Sequence, residues 1–231
     1  MFLPQVVSHD QWLMARRELL AREEQLSQLR AELVASRRRL PMVRIEKDYL
    51  FEGGHGQASL PELFDGCRQL IIFHLMFDPA WDAACPSCSA FADQLGPGLL
   101  AALRARDTAF AAVSRASWDK LRAGKEWKRG DFPWYSSSGS DFNYDFHVTL
   151  DERVAPVMYD FASKQEILAT GSANDLVDSE IPVEIAGLSC FLQDGGTVFH
   201  TYSAYNRGVE ELGPANSLLE LTALGDRTPG P

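Results

Sequence analysis

Cys85-Pro86-Ser87-Cys88 places two thiols three positions apart, just after an apolar run and just before a helical pattern. At the start of a helix, unpaired amides and the helix dipole stabilise a thiolate, so the first cysteine of such a pair titrates below its free value of about 8.5. Cys85 is therefore the candidate nucleophile. Cys88, one turn in and more buried, is the candidate resolving thiol that attacks a mixed disulfide and releases the substrate. Asp78 and Asp82 precede the pair, and if they lie close they oppose the dipole and push the Cys85 pKa back up.

Other chemistries find less support. A zinc site needs four ligands, and Cys67, Cys190, His74 and His200 stand singly, so no metal is expected. Cys67 and Cys190 read as small apolar filler, and the same plain reading, two cysteines that merely pack, stays open for the dithiol. His74 lies inside an apolar run, where a hydrogen-bonded structural role outweighs that of a base. The serine run from Ser136 to Ser140 lacks a nucleophile elbow and reads as a turn. No GxGxxG fingerprint is present, so no nicotinamide or flavin cofactor is expected.

The elements around the dithiol follow from periodicity. Residues His9 to Arg38 read as a long charged helix, with Trp12, Leu19, Leu26 and Leu33 every seven residues and Leu13, Leu20, Leu29 and Val34 widening the stripe. Its apolar face packs either on its own domain or against a second copy, so a homodimer stays open. Pro41 stops it. Met42 to Phe51 alternates around Lys47-Asp48 and suggests a β-hairpin, and Ser59 with Glu62 forms a capping box for a short helix ending at Gly66. Leu70 to Phe77 is apolar on both alternating faces, as in a central strand covered on both sides, which implies an α/β layer fold. Gly96-Pro97-Gly98 breaks the helix that follows the dithiol. A strand is expected at Ala109 to Val113 and a helix from Trp118 to Trp127 capped by Ser117. Thr149 to Ile181 reads as loop with fragments of strand. Leu188 to Gln193 and Thr197 to Tyr202, joined by Asp194-Gly195-Gly196, read as an antiparallel hairpin.

At 231 residues and 45% hydrophobic content the chain buries one substantial core. The expected division is a helical extension over 1–40, a main domain over 41–224 and a disordered tail over 225–231. A net charge of −10 and a pI of about 5.0 supply no basic field for nucleic acid or anionic membrane, and neither is an expected partner. No apolar stretch approaches the roughly 18 residues of a membrane span, and Met1-Phe2-Leu3-Pro4 does not open a signal segment, so a cytoplasmic location is expected. There a close cysteine pair is catalytic or metal-binding more often than structural.

A set of ordered strings carries a family resemblance. They are Arg39-Leu40-Pro41-Met42-Val43, Lys47-Asp48-Tyr49 with Phe51, Leu63-Phe64-Asp65-Gly66, His74-Leu75-Met76-Phe77, the dithiol with Ser89, Val113-Ser114-Arg115, Pro133-Trp134-Tyr135-Ser136-Ser137, Asp141-Phe142-Asn143-Tyr144-Asp145, and Phe199-His200-Thr201-Tyr202-Ser203 with Arg207-Gly208. Together they resemble a bacterial thioredoxin-like family of unassigned function, often labelled a predicted dithiol-disulfide oxidoreductase or isomerase. The resemblance implies a thioredoxin-like α/β three-layer sandwich, extended by an N-terminal helix and β-hairpin. It implies thiol-disulfide exchange by Cys85 and Cys88 on a disulfide-bearing protein or small thiol substrate, with electrons from a cellular reductant. Peroxiredoxins share that core but set Pro, then Thr or Ser, then Cys at fixed spacing. Here Pro79 lies one residue too close to Cys85 and the hydroxyl position is Asp82, which argues against an efficient peroxidase, although Arg115 could supply the cation such a site uses. A thioredoxin also carries a cis-proline facing the dithiol, where this chain has Ala186-Gly187-Leu188-Ser189. The alternatives carried forward are a peroxiredoxin-like thiol peroxidase and a non-catalytic binding module.

Topology then suggests a cleft. If Leu188 starts its strand at the dithiol end of the sheet, the chain runs out, turns at Gly195 and returns, bringing His200 and Tyr202 back to that end, with Arg115 at a neighbouring strand's carboxyl end. Cys85, Cys88, Arg115, His200 and Tyr202 would line the cleft, with Trp134 and Tyr135 as walls. Each residue outside the dithiol has a plainer reading as an ion pair or core packing.

Overall fold

The computed structural model describes residues 4–124, 132–171 and 174–210. Residues up to Pro41 belong to one unit and the chain from Met42 to another. The first contains α1 (His9–Arg37), started by a capping box in which the Ser8 hydroxyl accepts from the Gln11 amide while the Gln11 side chain accepts from Ser8. No residue of α1 is buried, and Trp12, Leu19, Leu26 and Leu33 are each about half exposed. Met14, Leu20 and Leu29, also exposed, spread the apolar residues around the helix. Periodicity thus identified the helix.

The second unit is built on an eight-stranded sheet in the order β1-β12-β11-β4-β5-β6-β2-β3. The strands are β1 (Val43–Arg44), β2 (Leu50–Gly53), β3 (Gly56–Ser59), β4 (Gln69–His74), β5 (Thr108–Ser114), β6 (Trp134–Ser136), β11 (Gly187–Asp194) and β12 (Thr197–Tyr205). Between β4 and β5 run α2 (Pro86–Asp93) and α3 (Pro97–Arg104), and α4 (Trp118–Ala123) follows β5. Beyond β6 come α5 (Phe142–Asp145), β7 (Thr149–Leu150), β8 (Met158–Tyr159), β9 (Ala162–Ser163), α6 (Lys164–Thr170), α7 (Asn174–Val177) and β10 (Val183–Glu184), and α8 (Arg207–Glu210) follows β12. β4 is parallel to β5 and antiparallel to β11. Its Leu70, Ile72 and Phe73 are fully buried, as a strand covered on both faces requires.

One face of the sheet carries a cluster of Leu70, Ile72, Val113 and Phe191 with Leu63 and Phe64 of a 3-10 turn (Leu60–Phe64) and Phe142 of α5. The opposite face carries Phe73, Ala112, Trp134 and Leu188 with Cys88 and Ala92 of α2 and Leu121 of α4. A central strand feeding a helix and then a parallel neighbour, followed by an antiparallel hairpin on its other side, is the thioredoxin-like arrangement. The chain has that α/β fold in three layers.

Several elements differ from expectation. No hairpin forms around Lys47-Asp48. Val43 and Arg44 pair with β12 at one edge, and Leu50 begins β2 near the other, where it pairs with β3 across the Gly53–Gly56 turn. Six residue steps from Arg44 to Leu50 reach about 20 Å at most, whereas six strand spacings of a flat sheet are about 29 Å. The sheet is therefore curled, with Tyr49 and Phe51 sunk into the core between its edges. Trp134 to Ser136 forms β6, parallel to β5, so that Ser136, expected in a turn, ends a strand. The stretch from Thr149 to Ile181 contains α6 behind the capping box of Ser163 and Glu166, not loop and strand alone. Helix α4 ends at Ala123 with Gly124 as its C-cap, short of the expected Trp127, and residues 125–127 and the tail 225–231 lie outside the described residues.

Candidate functional site

The dithiol stands where β4 leaves the sheet. Leu75 donates to the Val113 carbonyl at 2.9 Å, after which the chain loops out and returns with the Cys85 amide donating to the Met76 carbonyl at 2.9 Å. Cys85 is the N-cap of α2, with extended backbone (φ −55°, ψ 127°) and Pro86 at the first helical position, where its missing N–H costs nothing. Cys85 is part-exposed and Cys88, at 4% exposure, is buried in the core under α2. Both are free thiols.

These positions give the two sulfurs opposite acidities. The Cys88 thiol above all, then the amides of Cys88 and Ser87 and the Ser87 hydroxyl, pull the Cys85 pKa down to about 5, against its partial burial. Cys88 moves far up, since it donates to Cys85 and is desolvated. Asp78, which the sequence placed as a source of opposing charge, turns instead to Arg115.

Arg115 follows β5 and is enclosed by carboxylates. Its Nη2 donates to Asp78 Oδ2, and its Nε donates to Glu184 Oε1 at 2.6 Å. Thr149 Oγ1 donates to the Glu184 carboxylate at 3.1 Å. Burial drives the Glu184 pKa up, and Arg115 and Thr149 oppose it. Asp78 Oδ1 accepts from the Ala80 amide at 2.7 Å, and Lys120 Nζ donates to the Pro79 carbonyl at 2.7 Å and lies 5.2 Å over the Phe77 ring. The roles of Asp78, Glu184, Thr149 and Lys120 were not visible in the sequence. The carboxylates lie 37 and 69 residues from Arg115, beyond any local pattern.

The other expected cleft residues scatter. β12 carries a bulge at Thr201, because Cys190 pairs with Tyr202 whereas Phe191 pairs with His200. The extra residue turns His200 and Tyr202 to opposite faces of the sheet, where strict alternation would put them on one. Tyr202 lies opposite Cys190, on the face that carries Leu188 and Cys88. His200 faces the other side, against Phe146 and Phe191, and is 2.8 Å from Ser203 Oγ. From there a buried chain runs through Ser189 Oγ, 2.9 Å from Ser203, to His74 Nε2, 2.8 Å from Ser189. The end of β12 that returns to the dithiol end of the sheet is Tyr205, opposite Gly187, which itself pairs with His74. Trp134 is buried in the cluster that contains Cys88, and Tyr135 points to the other face, against Phe51. The serines at the end of β6 and just beyond it bond inward: Ser136 Oγ donates to the Ala116 carbonyl at 2.6 Å, and Ser137 Oγ to Asn143 Oδ1 at 2.6 Å.

Among the described residues no group of three or more His, Cys, Asp or Glu is arranged to hold a metal, and no helix is long and apolar enough to cross a membrane.

Residues 1–230 match the family described as bacterial protein of unknown function (DUF899), and the chain belongs to that family. No curated protein matches it. Among solved structures, peroxiredoxin Q of Xanthomonas campestris is similar at 13% identity and a TM-score of 0.48, over 75% of this chain and 90% of that one. AhpC of Enterococcus faecalis is similar at 16% identity and a TM-score of 0.46, over 83% of this chain and 99% of that one. BsSco, of the Sco family of cytochrome c oxidase assembly proteins, is similar at 12% identity and a TM-score of 0.40, over 78% and 91%. The fold class rests on the strand order above and not on these likenesses.

Proposed function

We propose that this chain is a thiol-disulfide oxidoreductase in which Cys85 attacks and Cys88 resolves. The observation that carries the reading is the asymmetry of the pair: a part-exposed sulfur at the start of α2 whose pKa is pulled down to about 5, with a buried thiol donating to it. In this reading the Cys85 thiolate attacks one sulfur of a substrate disulfide, the S–S bond breaks, and the first substrate thiolate leaves and is protonated. Cys88 then loses its proton and attacks Cys85 Sγ, which releases the second substrate thiol. The substrate gains two electrons and two protons, and a cellular thiol reductant restores the dithiol. The substrate is a disulfide-bearing protein or a small disulfide. A peroxidase would need a cation free to meet the oxidant, and the engagement of Arg115 with two carboxylates speaks against it.

The test is the Cys85/Cys88 equilibrium in glutathione buffers, read by thiol-labelling mass spectrometry, with the alkylation rate of Cys85 followed against pH. A two-electron transition between roughly −120 and −270 mV is expected. The alkylation rate should fall below about pH 5 and be lost in Cys85→Ser. Failure to form the bond under oxidising conditions, with Cys85 inert to alkylation, would sink the reading and leave a non-catalytic binding module.

A further inference from the structure

Ten residues separate the end of β4 from Cys85, so the nucleophile hangs on a loop whose shape must be held by something other than the sheet. The backbone closes its ends through the Cys85 amide and the Met76 carbonyl, as in a compact surface loop. Inside it, Asp78 is 8% exposed and occupies both carboxylate oxygens: one accepts from the Ala80 amide, which shapes the turn, and the other accepts from Arg115. The guanidinium then reaches Glu184 on β10, which is fixed in turn by Thr149 on β7. Two segments distant in the chain, the dithiol loop and β10, therefore meet on one planar, forked cation.

Buried ionic groups of this kind add little net stability over apolar packing. What a fork with fixed donor directions does supply is geometry. We infer that Arg115 is a positioning residue for the dithiol: by tying Asp78 of the loop to Glu184 of β10, it sets where Cys85 stands relative to the start of α2 and to Cys88. The inference rests on the exchange reading for its consequence but makes a separate structural claim. The cation that the sequence offered as a substrate ligand acts inward, on the protein.

The variants that separate the arms are Asp78→Asn, which turns the loop arm into a donor facing a donor or a weaker neutral contact, and Glu184→Gln, which weakens only the far arm. Arg115→Lys keeps the charge while removing the fork. For each, the full chain is assayed for the pH profile of Cys85 alkylation and for the glutathione redox equilibrium, with near-ultraviolet circular dichroism as the check on folding. Loosening the loop withdraws Cys85 from the donors that hold its thiolate. Asp78→Asn should therefore slow alkylation at pH 6 by roughly threefold or more and move the profile's midpoint upward. Arg115→Lys should act in the same direction, and Glu184→Gln less. If Asp78→Asn does not fold, Arg115→Lys alone decides. Wild-type alkylation profiles in the folded variants would overturn the positioning role. Should the wild-type dithiol never oxidise, the exchange reading fails while the alkylation profiles still decide the role of Arg115.

Discussion

Cys85 and His74 lie on opposite sides of the same sheet and show how placement sets acidity. Cys85 meets donors at a helix start that lower its pKa, whereas His74, at 1% exposure, packs against Phe142 and Phe146 and has no donor or acceptor at Nδ1 among the described residues. Burial pushes the His74 pKa down to about 3, and His200 is lowered for the same reason. The unfolded chain binds a proton near pH 6.5, and folded His74 refuses it until about pH 3. The associated stability is therefore full above pH 6.5 and declines as pH falls through that window. At pH 5 the share belonging to His74 is about 2 kcal/mol. Chemical denaturation at pH 7.5 and pH 5 measures it. His74→Phe, which keeps the ring packing and leaves Ser189 bonded to Ser203, should lose about 2 kcal/mol less than wild type between the two conditions. Identical pH slopes in the two proteins would show that His74 does not resist protonation.

At the scale of elements, the far edge of the sheet depends on a close approach of backbones. β2 pairs with β6 through Gly53 and Tyr135, and a Cβ on Gly53 would come within 2.7 Å of the Tyr135 ring and 3.2 Å of the Trp134 carbonyl oxygen. Gly53→Ala must displace Tyr135, which itself packs on Phe51, at a cost of roughly 1–3 kcal/mol. The next residue provides the control, because a Cβ on Gly54 meets only Trp118, at an ordinary 3.7 Å. Thermal unfolding should therefore separate Gly53→Ala from Gly54→Ala, and equal midpoints would contradict the register of β2 on β6.

For the molecule as a whole, α1 forms a unit with no buried residue, while the strands from Val43 onward supply the sheet. Gel filtration of the chain with and without residues 1–41 reads whether the exposed leucine stripe of α1 pairs with a second copy: an apparent mass lower only by the deleted residues would argue against that pairing. The acidic balance of 32 carboxylates against 22 basic side chains bears on solubility and association and leaves the fold itself undetermined.

Local rules were enough to read α1, the apolar run at the heart of β4, the break at Gly96-Pro97, the Asp194-Gly195-Gly196 hairpin and the placing of the dithiol at a helix start. Each depends on residues a few positions apart. The capping box of Ser163 and Glu166 was equally local, and α6 could have been read from it. What tertiary structure alone decided involves partners far apart in the chain. Arg115 meets Asp78 and Glu184 only because β5, the dithiol loop and β10 converge. Met42 to Phe51 alternates as a hairpin would, yet alternation marks which side chains are buried and not which strand lies alongside, and the curl of the sheet sends its two ends to opposite edges. The bulge at Thr201 is the sharpest case. One extra residue reverses the faces of everything before it on β12, so His200 joins the buried chain to His74 while Tyr202 stays on the face of the dithiol. Periodicity has a period of two and cannot register an insertion of one, which only the pairing of the finished strands reveals.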